Sequence, residues 1–151
     1  MKFAADRTVG KLAQWLRLMG YDAVDTGPFS PESVLSFIGE DRILLTRDTH
    51  LTRKTATLKA ICLHSNDPKD QVREVVHTLL LQPDEKVFFT RCKFCNTILE
   101  RVTSQEVIDE VPDYVRQRHK RFSRCNTCER VYWPGTHYDN ITKTLQDLLA
   151  K

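Results

Sequence analysis

The sequence predicts an α/β protein in which a parallel sheet is flanked by helices and followed by a small four-cysteine module. Short apolar segments alternate with helical patterns in the first half of the 151-residue chain, and this alternation is typical of parallel sheets covered on both faces. The second half instead contains two Cys-x-x-Cys pairs and short β-like segments. We therefore expect one module at residues 1–88 and a second, with a C-terminal helix, at residues 89–151.

The first strand is predicted at residues 2–5, where a short apolar segment ends at Asp6. A helix is predicted at 9–19, because apolar residues recur there with helical spacing and a glycine ends the pattern. A weak strand at 23–24 ends at Asp25. Each of these two strands therefore ends directly before an aspartate.

The next helix is predicted to begin at Ser30-Pro31-Glu32, which supplies a capping hydroxyl, a first-turn proline and an acid that complements the helix dipole. The strongest strand pattern follows at 43–46 and ends at Arg47-Asp48. The later predicted elements are a two-turn helix after Asp48, a strand at 60–63, a helix from Asp67-Pro68 to Pro83-Asp84, a capping-box helix near 103–111, and a final helix from about Asp139.

Composition and charge limit the function classes. The chain is 40% hydrophobic and 28% charged, and no segment approaches the ~20 apolar residues that a membrane-spanning helix needs. Charged residues near the N-terminus occupy the place of a signal-peptide apolar segment, so we expect a soluble, cytoplasmic protein. Acidic and basic residues balance in 1–90, and the whole formal excess of +3 lies in 91–151.

The clearest motif pairs Cys92 with Cys95 and Cys125 with Cys128, and 29 residues separate the two pairs. Two residues between paired cysteines allow one tight turn to present both sulfurs to a tetrahedral ion. Redox or disulfide pairs are the alternative, but paired motifs in a reduced chain favour one structural Zn²⁺ bound by four thiolates. Cys62 falls inside an apolar strand pattern, where we expect a buried, unreactive thiol.

Aspartates follow all of the predicted parallel strands. Asp6, Asp25 and Asp48 follow the first three, and Asp67 and Asp70 follow the fourth. Because the carboxyl ends of parallel strands meet at one edge of a sheet, these side chains are candidate ligands for a catalytic Mg²⁺ or Mn²⁺. A metal ion there could activate water for attack on a phosphodiester. Helix capping by Asp48 and Asp67 is the structural alternative.

A basic segment at 116–124 contains five basic residues and no acid, with Tyr114 before it and Phe122 within it. Cations neutralise phosphates and aromatic rings stack on unpaired bases, so the segment predicts single-stranded RNA as a partner. A solvated helix face is the alternative. The candidate RNA-binding residues are Arg7, Lys11, Arg17 and Arg47 near the aspartates, which could equally pair with those acids, and Arg116, Arg118, Lys120, Arg121 and Arg124 in the basic segment.

Three groups of residues resemble a known family. They are Ala5-Asp6-Arg7 with the segment 10–17, Leu44-Leu45-Thr46-Arg47-Asp48, and Arg130-Val131-Tyr132-Trp133 with Gly135-Thr136-His137. Together, over residues 3–138, they resemble the PIN-like RNase domain family named for the C-terminal domain of the Mut-seven exonuclease. The resemblance implies a PIN-like α/β nuclease fold with an attached zinc ribbon, and a metal-dependent ribonuclease activity.

The resemblance also implies catalytic residues. Asp6 and Asp48 match the acidic motif positions well and are the expected ligands of the catalytic metal, whereas Asp25 and Asp70 match loosely. The predicted function is therefore a divalent-metal-dependent ribonuclease that hydrolyses RNA phosphodiesters at these aspartates while the ribbon presents the RNA. A non-catalytic RNA-binding adaptor of translation or RNA processing is the alternative. A phosphoryl-accepting domain is a weaker one, since no paired Asp-x-Asp motif supports it.

Overall fold

The computed structural model describes residues 1–27, 41–54 and 59–150. The chain forms two compact units, Met1–Asn96 and Thr97–Lys151, whereas the sequence-based division was placed between residues 88 and 89. The helix predicted from Ser30 lies outside the described residues. Within the described ranges, no helix combines the length and the apolar character needed to cross a bilayer.

The first unit contains a parallel four-stranded sheet flanked by helices, as predicted. Its strands lie in the order β2-β1-β3-β4 and all pair in parallel. The strands are β1 (Lys2–Ala5), β2 (Asp22–Asp25), β3 (Arg42–Thr46) and β4 (Ala60–Cys62), and the described helices are α1 (Gly10–Leu18), α2 (Thr49–Lys54) and α3 (Pro68–Leu79), followed by a 3₁₀ turn at Glu85–Val87.

The strand order places a reversal at the centre of this sheet. β1 pairs with β2 on one side and with β3 on the other, while β3 pairs onward with β4. The chain therefore places β2 on one side of β1 and then crosses to place β3 on the other side, so the switch point lies between β1 and β3. Ligands of such sheets bind outside the carboxyl ends of the strands at the switch point. Asp6 follows β1 directly, and Asp48 follows β3 by two residues.

The two central strands, β1 and β3, are buried. Phe3, Ala4, Leu44 and Leu45 are fully buried, so β1 and β3 are covered on both faces, as the apolar strand patterns predicted. Helix α3 begins where the sequence indicated, because the Asp67 carboxylate accepts hydrogen bonds from the amides of the first turn and a proline occupies its first position.

The second unit is a three-stranded antiparallel sheet with two helices. Its strands are β5 (Glu100–Val102), β6 (Phe122–Arg124) and β7 (Val131–Tyr132), in the order β5-β6-β7, and its helices are α4 (Asp113–Arg118) and α5 (Thr136–Leu149). A small core contains Val107, Val111, Val115 and Phe122, and the ring of Trp133 packs against Phe122 with 6.4 Å between centroids.

The helix predicted near 103–111 is wrong, although its capping box forms. The Thr103 amide donates to the Glu106 carboxylate at 2.6 Å, and the Glu106 amide donates to the Thr103 hydroxyl at 3.3 Å. The chain then makes a series of turns and enters a helix only after Pro112. Pro112 prevents a helix from continuing beyond this segment, but it lies outside the predicted range. The two hydrogen bonds of the capping box close a local turn, and a turn of this kind does not by itself require a helix to follow.

Candidate metal sites and the polar cavity

The four paired cysteines form one cluster, as predicted. The Sγ atoms of Cys92, Cys95, Cys125 and Cys128 all lie within 4.8 Å of one another, with Cys92 and Cys125 buried. Four sulfurs that each lie about 2.3 Å from one tetrahedral zinc ion are about 3.8 Å apart, which lies inside this limit. The donor type and this spacing fit one tetrahedral ion, and the cluster is consistent with a zinc ribbon.

Both cysteine pairs lie on the same kind of turn. The Asn96 amide donates to the Cys92 carbonyl at 2.9 Å, and the Glu129 amide donates to the Cys125 carbonyl at 2.8 Å. Asn96 and Glu129 both have a positive φ, of 66° and 63°, a conformation that Asn adopts more readily than Glu. Each hydrogen bond closes a five-residue turn that points the two sulfurs of its pair in one direction, as the Cys-x-x-Cys spacing indicated.

Arg17 holds the backbone of the first cysteine turn. It is only 5% exposed, and its guanidinium donates to the carbonyls of Ala23 at 2.7 Å, Lys93 at 2.8 Å and Phe94 at 3.1 Å. Burial lowers the pKa of Arg17 from its ordinary value, while the Asp25 carboxylate acts in the opposite direction. Because it is buried and its guanidinium donates to three backbone carbonyls, Arg17 is not exposed for the phosphate contact that the sequence predicted.

Asp6 is the buried carboxylate of the sheet edge, with 5% of its surface exposed. Its Oδ1 accepts the Thr8 amide at 2.9 Å and also the Thr8 hydroxyl, and its Oδ2 accepts the Thr46 hydroxyl. Such bonds compensate the carboxylate for the water it loses on burial. Two threonines therefore orient the aspartate, namely Thr8, which the sequence did not indicate, and Thr46, which belongs to the motif at 44–48 but was assigned no role there.

The same two hydroxyls order the segment after β3. The Arg47 amide donates to the Thr8 hydroxyl at 3.0 Å, and the Asp48 amide donates to the Thr46 hydroxyl at 2.9 Å. Each hydroxyl thus receives a hydrogen bond from this segment and donates one to Asp6. A threonine two residues after Asp6 and another two residues before Asp48 were the available sequence signals, because such spacing is typical of local side-chain–backbone turns.

Asp48 caps helix α2. Its Oδ1 accepts the amides of His50 at 2.8 Å and Leu51 at 3.3 Å, so the capping alternative describes this residue correctly. Both bonds fall on one carboxylate oxygen, and Asp48 is half-buried. The two capping bonds therefore do not involve the second carboxylate oxygen, Oδ2.

The other two predicted acids have local partners. Asp25 is exposed at the end of β2, where its Oδ1 accepts the Gly27 amide at 2.9 Å, and Asp70 is exposed in the first turn of α3, 2.6 Å from the guanidinium of Arg73. Within residues 1–27, 41–54 and 59–150, one group of three or more potential ligands is close enough to share an ion, and it consists of the four cysteines. The aspartates do not form such a group there.

A polar cavity of about 370 Å³ lies beside Asp25. Its lining combines the segment leading into α1, the end of β2 and the start of α3. A Cβ atom added to Gly10 would lie 3.2 Å from Asp25 Oδ2, so the absence of a side chain there lets the carboxylate approach the start of α1. The charged and amide-bearing residues of the lining are Arg7, Lys11, Gln14, Asp25, Asn66 and Gln71.

The basic segment is divided between two elements. Arg116 lies on α4 and pairs with Asp113, while Arg124 lies on β6 and pairs with Glu110. Phe122 is fully buried in the core of the second unit and cannot stack on a base, whereas Tyr114 is 64% exposed. The exposed cations of the segment are Arg118, Lys120 and Arg121, and those near the aspartates are Arg7, Lys11 and Arg47.

Comparison with protein families gives one match over nearly the whole chain. A model described as the Mut7-C RNAse domain matches residues 1–145. Comparisons with curated proteins and with solved structures give no significant match. The matched range includes the parallel sheet with Asp6 and Asp48 and all four clustered cysteines. The chain therefore belongs to the Mut7-C RNAse domain family, which suggests a nuclease-like role.

Proposed function

We propose that this protein is a divalent-metal-dependent ribonuclease that hydrolyses RNA phosphodiesters at the switch point of its parallel sheet. The observation that carries the proposal is the position of Asp6, a buried carboxylate directly after β1 and linked through the Thr46 hydroxyl to the Asp48 amide after β3. Ligands of parallel α/β sheets bind at this kind of position. The nuclease-like role suggested by the family supports the same reaction class.

The chemistry of the two carboxylates fits an ion that keeps most of its water. A carboxylate offers about four acceptor positions, and Asp6 uses three of them in hydrogen bonds. Mg²⁺ commonly binds to one or two carboxylates and retains several waters. Asp6 Oδ2 and Asp48 Oδ2 are therefore the atoms that would hold Mg²⁺ or Mn²⁺. When bound, the ion would supply an activated water and offset the charge that develops on the phosphate.

The residues around these carboxylates have separate tasks in the proposal. Thr8 and Thr46 keep the Asp6 carboxylate in one orientation, which reduces the reorganisation needed during the reaction. The exposed cations Arg7, Lys11 and Arg47 bind substrate phosphates. Single-stranded RNA also contacts the second unit at Arg118, Lys120 and Arg121, so the ribbon presents the substrate.

The catalytic proposal is tested by Asp6→Asn. With zinc-loaded protein, added Mn²⁺ and a varied RNA pool, we expect the wild-type chain to cleave RNA and the variant to lose activity by about 100-fold or more. The control is Asp41→Asn, because Asp41 is exposed and its ion pair is with Lys2. Circular dichroism and zinc content verify folding. Full cleavage by a folded Asp6→Asn protein would contradict the assignment.

A non-catalytic RNA-binding adaptor is the second candidate, and one observation favours it. Within the described residues, the predicted aspartates do not gather into a group of three, since Asp48 caps α2 and Asp70 pairs with Arg73. An adaptor would bind RNA through the exposed cations and would not need the Asp6 charge. RNA binding without cleavage, unchanged by Asp6→Asn, would favour this candidate over the nuclease.

RNA binding by the second unit is tested by combining Arg118→Glu with Arg121→Glu. We expect weaker binding to single-stranded RNA and a salt dependence reduced by about 0.7 in log–log slope for each lost phosphate contact. The matched control combines Arg101→Glu with Lys143→Glu, which changes the charge equally at exposed positions outside the basic segment. Equal losses in both double variants would show a general charge effect and would contradict a defined RNA surface.

A further inference from the structure

The outer edge of the parallel sheet is covered by two side chains that the proposed reaction does not use. Strand β2 is the outermost strand of the described sheet on this side, and an edge strand has backbone groups that its own sheet cannot pair. At the fully buried Ala23 of β2, the amide donates to Asn96 Oδ1 at 3.1 Å and the carbonyl accepts from Arg17 Nε at 2.7 Å. These two residues therefore pair both backbone groups of Ala23.

The same Arg17 side chain also holds the first cysteine turn. Its Nη1 atom donates to the carbonyls of Lys93 at 2.8 Å and Phe94 at 3.1 Å. These are the two residues between the predicted zinc ligands Cys92 and Cys95. One buried guanidinium thus fixes the backbone of the turn and the backbone of β2 at once, within the first unit.

Asn96 makes a second connection between the turn and the strand. Its amide closes the turn on the Cys92 carbonyl at 2.9 Å, while its side-chain Nδ2 donates to the Asp22 carboxylate at the start of β2 at 2.7 Å. Its Oδ1 accepts from β2 and its Nδ2 donates to a carboxylate, so both partners favour the same amide orientation. The guanidinium of Arg91 adds a bond to the Asn96 carbonyl at 2.9 Å.

The charge of Arg17 complements a zinc ion bound by four thiolates. Four thiolates and one Zn²⁺ together carry a charge of −2, and a buried cation is stabilised by an opposite charge nearby. Burial lowers the pKa of Arg17, and the negative charges of Asp25, Cys92 and Cys95 oppose that shift. The contacts and the charge of this side chain therefore both favour a loaded zinc site.

We propose that Arg17 and Asn96 are positioning residues of the zinc site, and that they couple zinc binding at the first cysteine turn to the β2 edge of the parallel sheet. Partners that orient metal ligands commonly change metal affinity by about 10- to 100-fold. Such coupling is reciprocal, so zinc binding stabilises the β2 edge by the same factor by which the edge contacts favour zinc. The ion then supports the sheet that carries Asp6 as well as the ribbon.

The first experiment measures amide hydrogen exchange in the full-length protein by NMR, with Zn²⁺ bound and after its removal by a chelator. We expect the Ala23 amide to exchange about 10-fold faster or more without zinc, because its acceptor Asn96 is then less well held. The Leu44 amide, which donates to the Lys59 carbonyl, should change less. Unchanged exchange at Ala23, equal acceleration at both amides, or a wild-type chain that binds no Zn²⁺ would overturn the proposal.

The second experiment compares Asn96→Gly with Glu129→Gly. Both residues have a positive φ, of 66° and 63°, and both amides close a cysteine turn, so glycine suits the backbone at each position. Only Asn96→Gly removes side-chain bonds to β2. We expect it to lower Zn²⁺ affinity by about 10-fold or more in competition with a chelator, and to abolish the effect of zinc on Ala23 exchange.

Glu129→Gly is the matched control, because Glu129 is exposed in the second cysteine turn. It should keep both the wild-type Zn²⁺ affinity and the effect of zinc on Ala23. Equal losses in the two variants, or wild-type behaviour of Asn96→Gly, would overturn the proposal.

The third experiment is Arg17→Lys, which keeps the charge and removes the planar fork that reaches the strand and the turn together. We expect about 10-fold weaker Zn²⁺ binding, while the Co²⁺-substituted protein keeps the absorption bands of a tetrahedral thiolate site. Wild-type affinity in this variant would contradict the role of Arg17, and if the variant does not fold, the two glycine variants decide. None of these readouts involves RNA cleavage, so failure of this proposal is distinguishable from failure of the nuclease.

Discussion

The cysteines and the aspartates are two sets of candidate metal ligands, and they differ in whether the fold brings their ligand atoms together. The four cysteine sulfurs lie within 4.8 Å of one another. The aspartates instead have separate partners, namely two threonine hydroxyls for Asp6, the first turn of α2 for Asp48 and the side chain of Arg73 for Asp70. Only the first set converges on a single point in the described chain.

The chemistry of the ligand groups explains this difference. A thiol is a weaker hydrogen-bonding group than a carboxylate, and the turn of each cysteine pair sets the direction of its sulfurs. A carboxylate accepts hydrogen bonds readily and is therefore well suited to cap a helix or close a turn next to it. An aspartate after a strand is thus a weaker sign of a metal site than a cysteine in a pair.

The largest expected effect comes from breaking the cysteine cluster. Cys125→Ser removes a buried ligand of the cluster, and structural zinc sites contribute on the order of 10 kcal/mol to folding. We expect about one zinc ion per chain in the wild-type protein, loss of that zinc in the variant, and unfolding of the second unit. Zinc content by atomic emission and the circular dichroism spectrum measure both effects.

Cys62→Ser is the matched control for this change. Cys62 ends β4 and is not a member of the four-cysteine cluster, so its variant should keep its zinc. Equal zinc loss in both variants would contradict the assignment of four specific ligands and the division of the five cysteines into two roles.

A smaller effect is expected at the aspartate side from Thr46→Val, which keeps the side-chain shape and removes the hydroxyl. The buried Asp6 carboxylate loses a donor and the Asp48 amide loses an acceptor, so the free energy of unfolding should fall by about 3 kcal/mol. Urea denaturation measures the change. Thr90→Val is the control, because it removes an exposed hydroxyl whose bond is to the Val87 carbonyl. Equal losses in both variants would show that Asp6 does not depend on Thr46.

The smallest effect concerns Asp22, a structural carboxylate at the opposite end of β2 from Asp25. Hydrogen bonds from Arg42, at 2.8 Å, and Asn96, at 2.7 Å, hold the pKa of Asp22 at about 2, below its usual 3.8. Because the folded-state pKa is depressed, the stabilisation is present above pH 4 and is lost as the pH falls from about 4 to about 2. Asp22→Asn should therefore lower the free energy of unfolding at pH 7 by about 1 kcal/mol, after allowance for solvent screening.

The measurement compares wild type and Asp22→Asn by urea denaturation at several pH values. Protonation of the cysteines releases zinc from both proteins in acid. The difference between their free energies of unfolding therefore reports the effect of the Asp22 carboxylate alone. The difference should shrink between pH 4 and pH 2. The exposed Asp109→Asn serves as the control, and a difference between wild type and Asp22→Asn that stays constant across this pH range would contradict a depressed pKa for Asp22.

Local sequence patterns predicted most of the regular structure. The described strands and helices of the first unit lie where apolar spacing, the proline at Pro68 and the cap at Asp67 placed them. The error at 103–111 shows the limit of a local signal, since both hydrogen bonds of the capping box form and close a turn without a helix following them. Helix α5 begins at Thr136, three residues before the expected start, directly after Gly135.

The roles of polar side chains depended on contacts between residues far apart in the chain. The sequence placed Arg17 among the phosphate contacts, but its guanidinium is buried against carbonyls more than 70 residues later. The carboxylate of Asp6 is ordered by a hydroxyl 40 residues away, and the Gln71 oxygen lies buried beside a cavity that residues from three separate segments line. None of these partners has a sequence periodicity that could reveal it.

The sequence by itself determined the two cysteine turns, the strands of the parallel sheet and the aspartates at the strand ends, because each depends on spacing within one short segment. The tertiary structure brings the two cysteine pairs to one point. Only the tertiary structure decided that Asp6 is buried while Asp25 and Asp70 are exposed, and that Asp48 also caps a helix. The physical reason is that a polar side chain takes whichever donor or acceptor packing brings within about 3 Å. For Asp25, Asp48 and Asp70 a neighbour in sequence supplies that partner, whereas for Asp6 the fold brings Thr46 from 40 residues away.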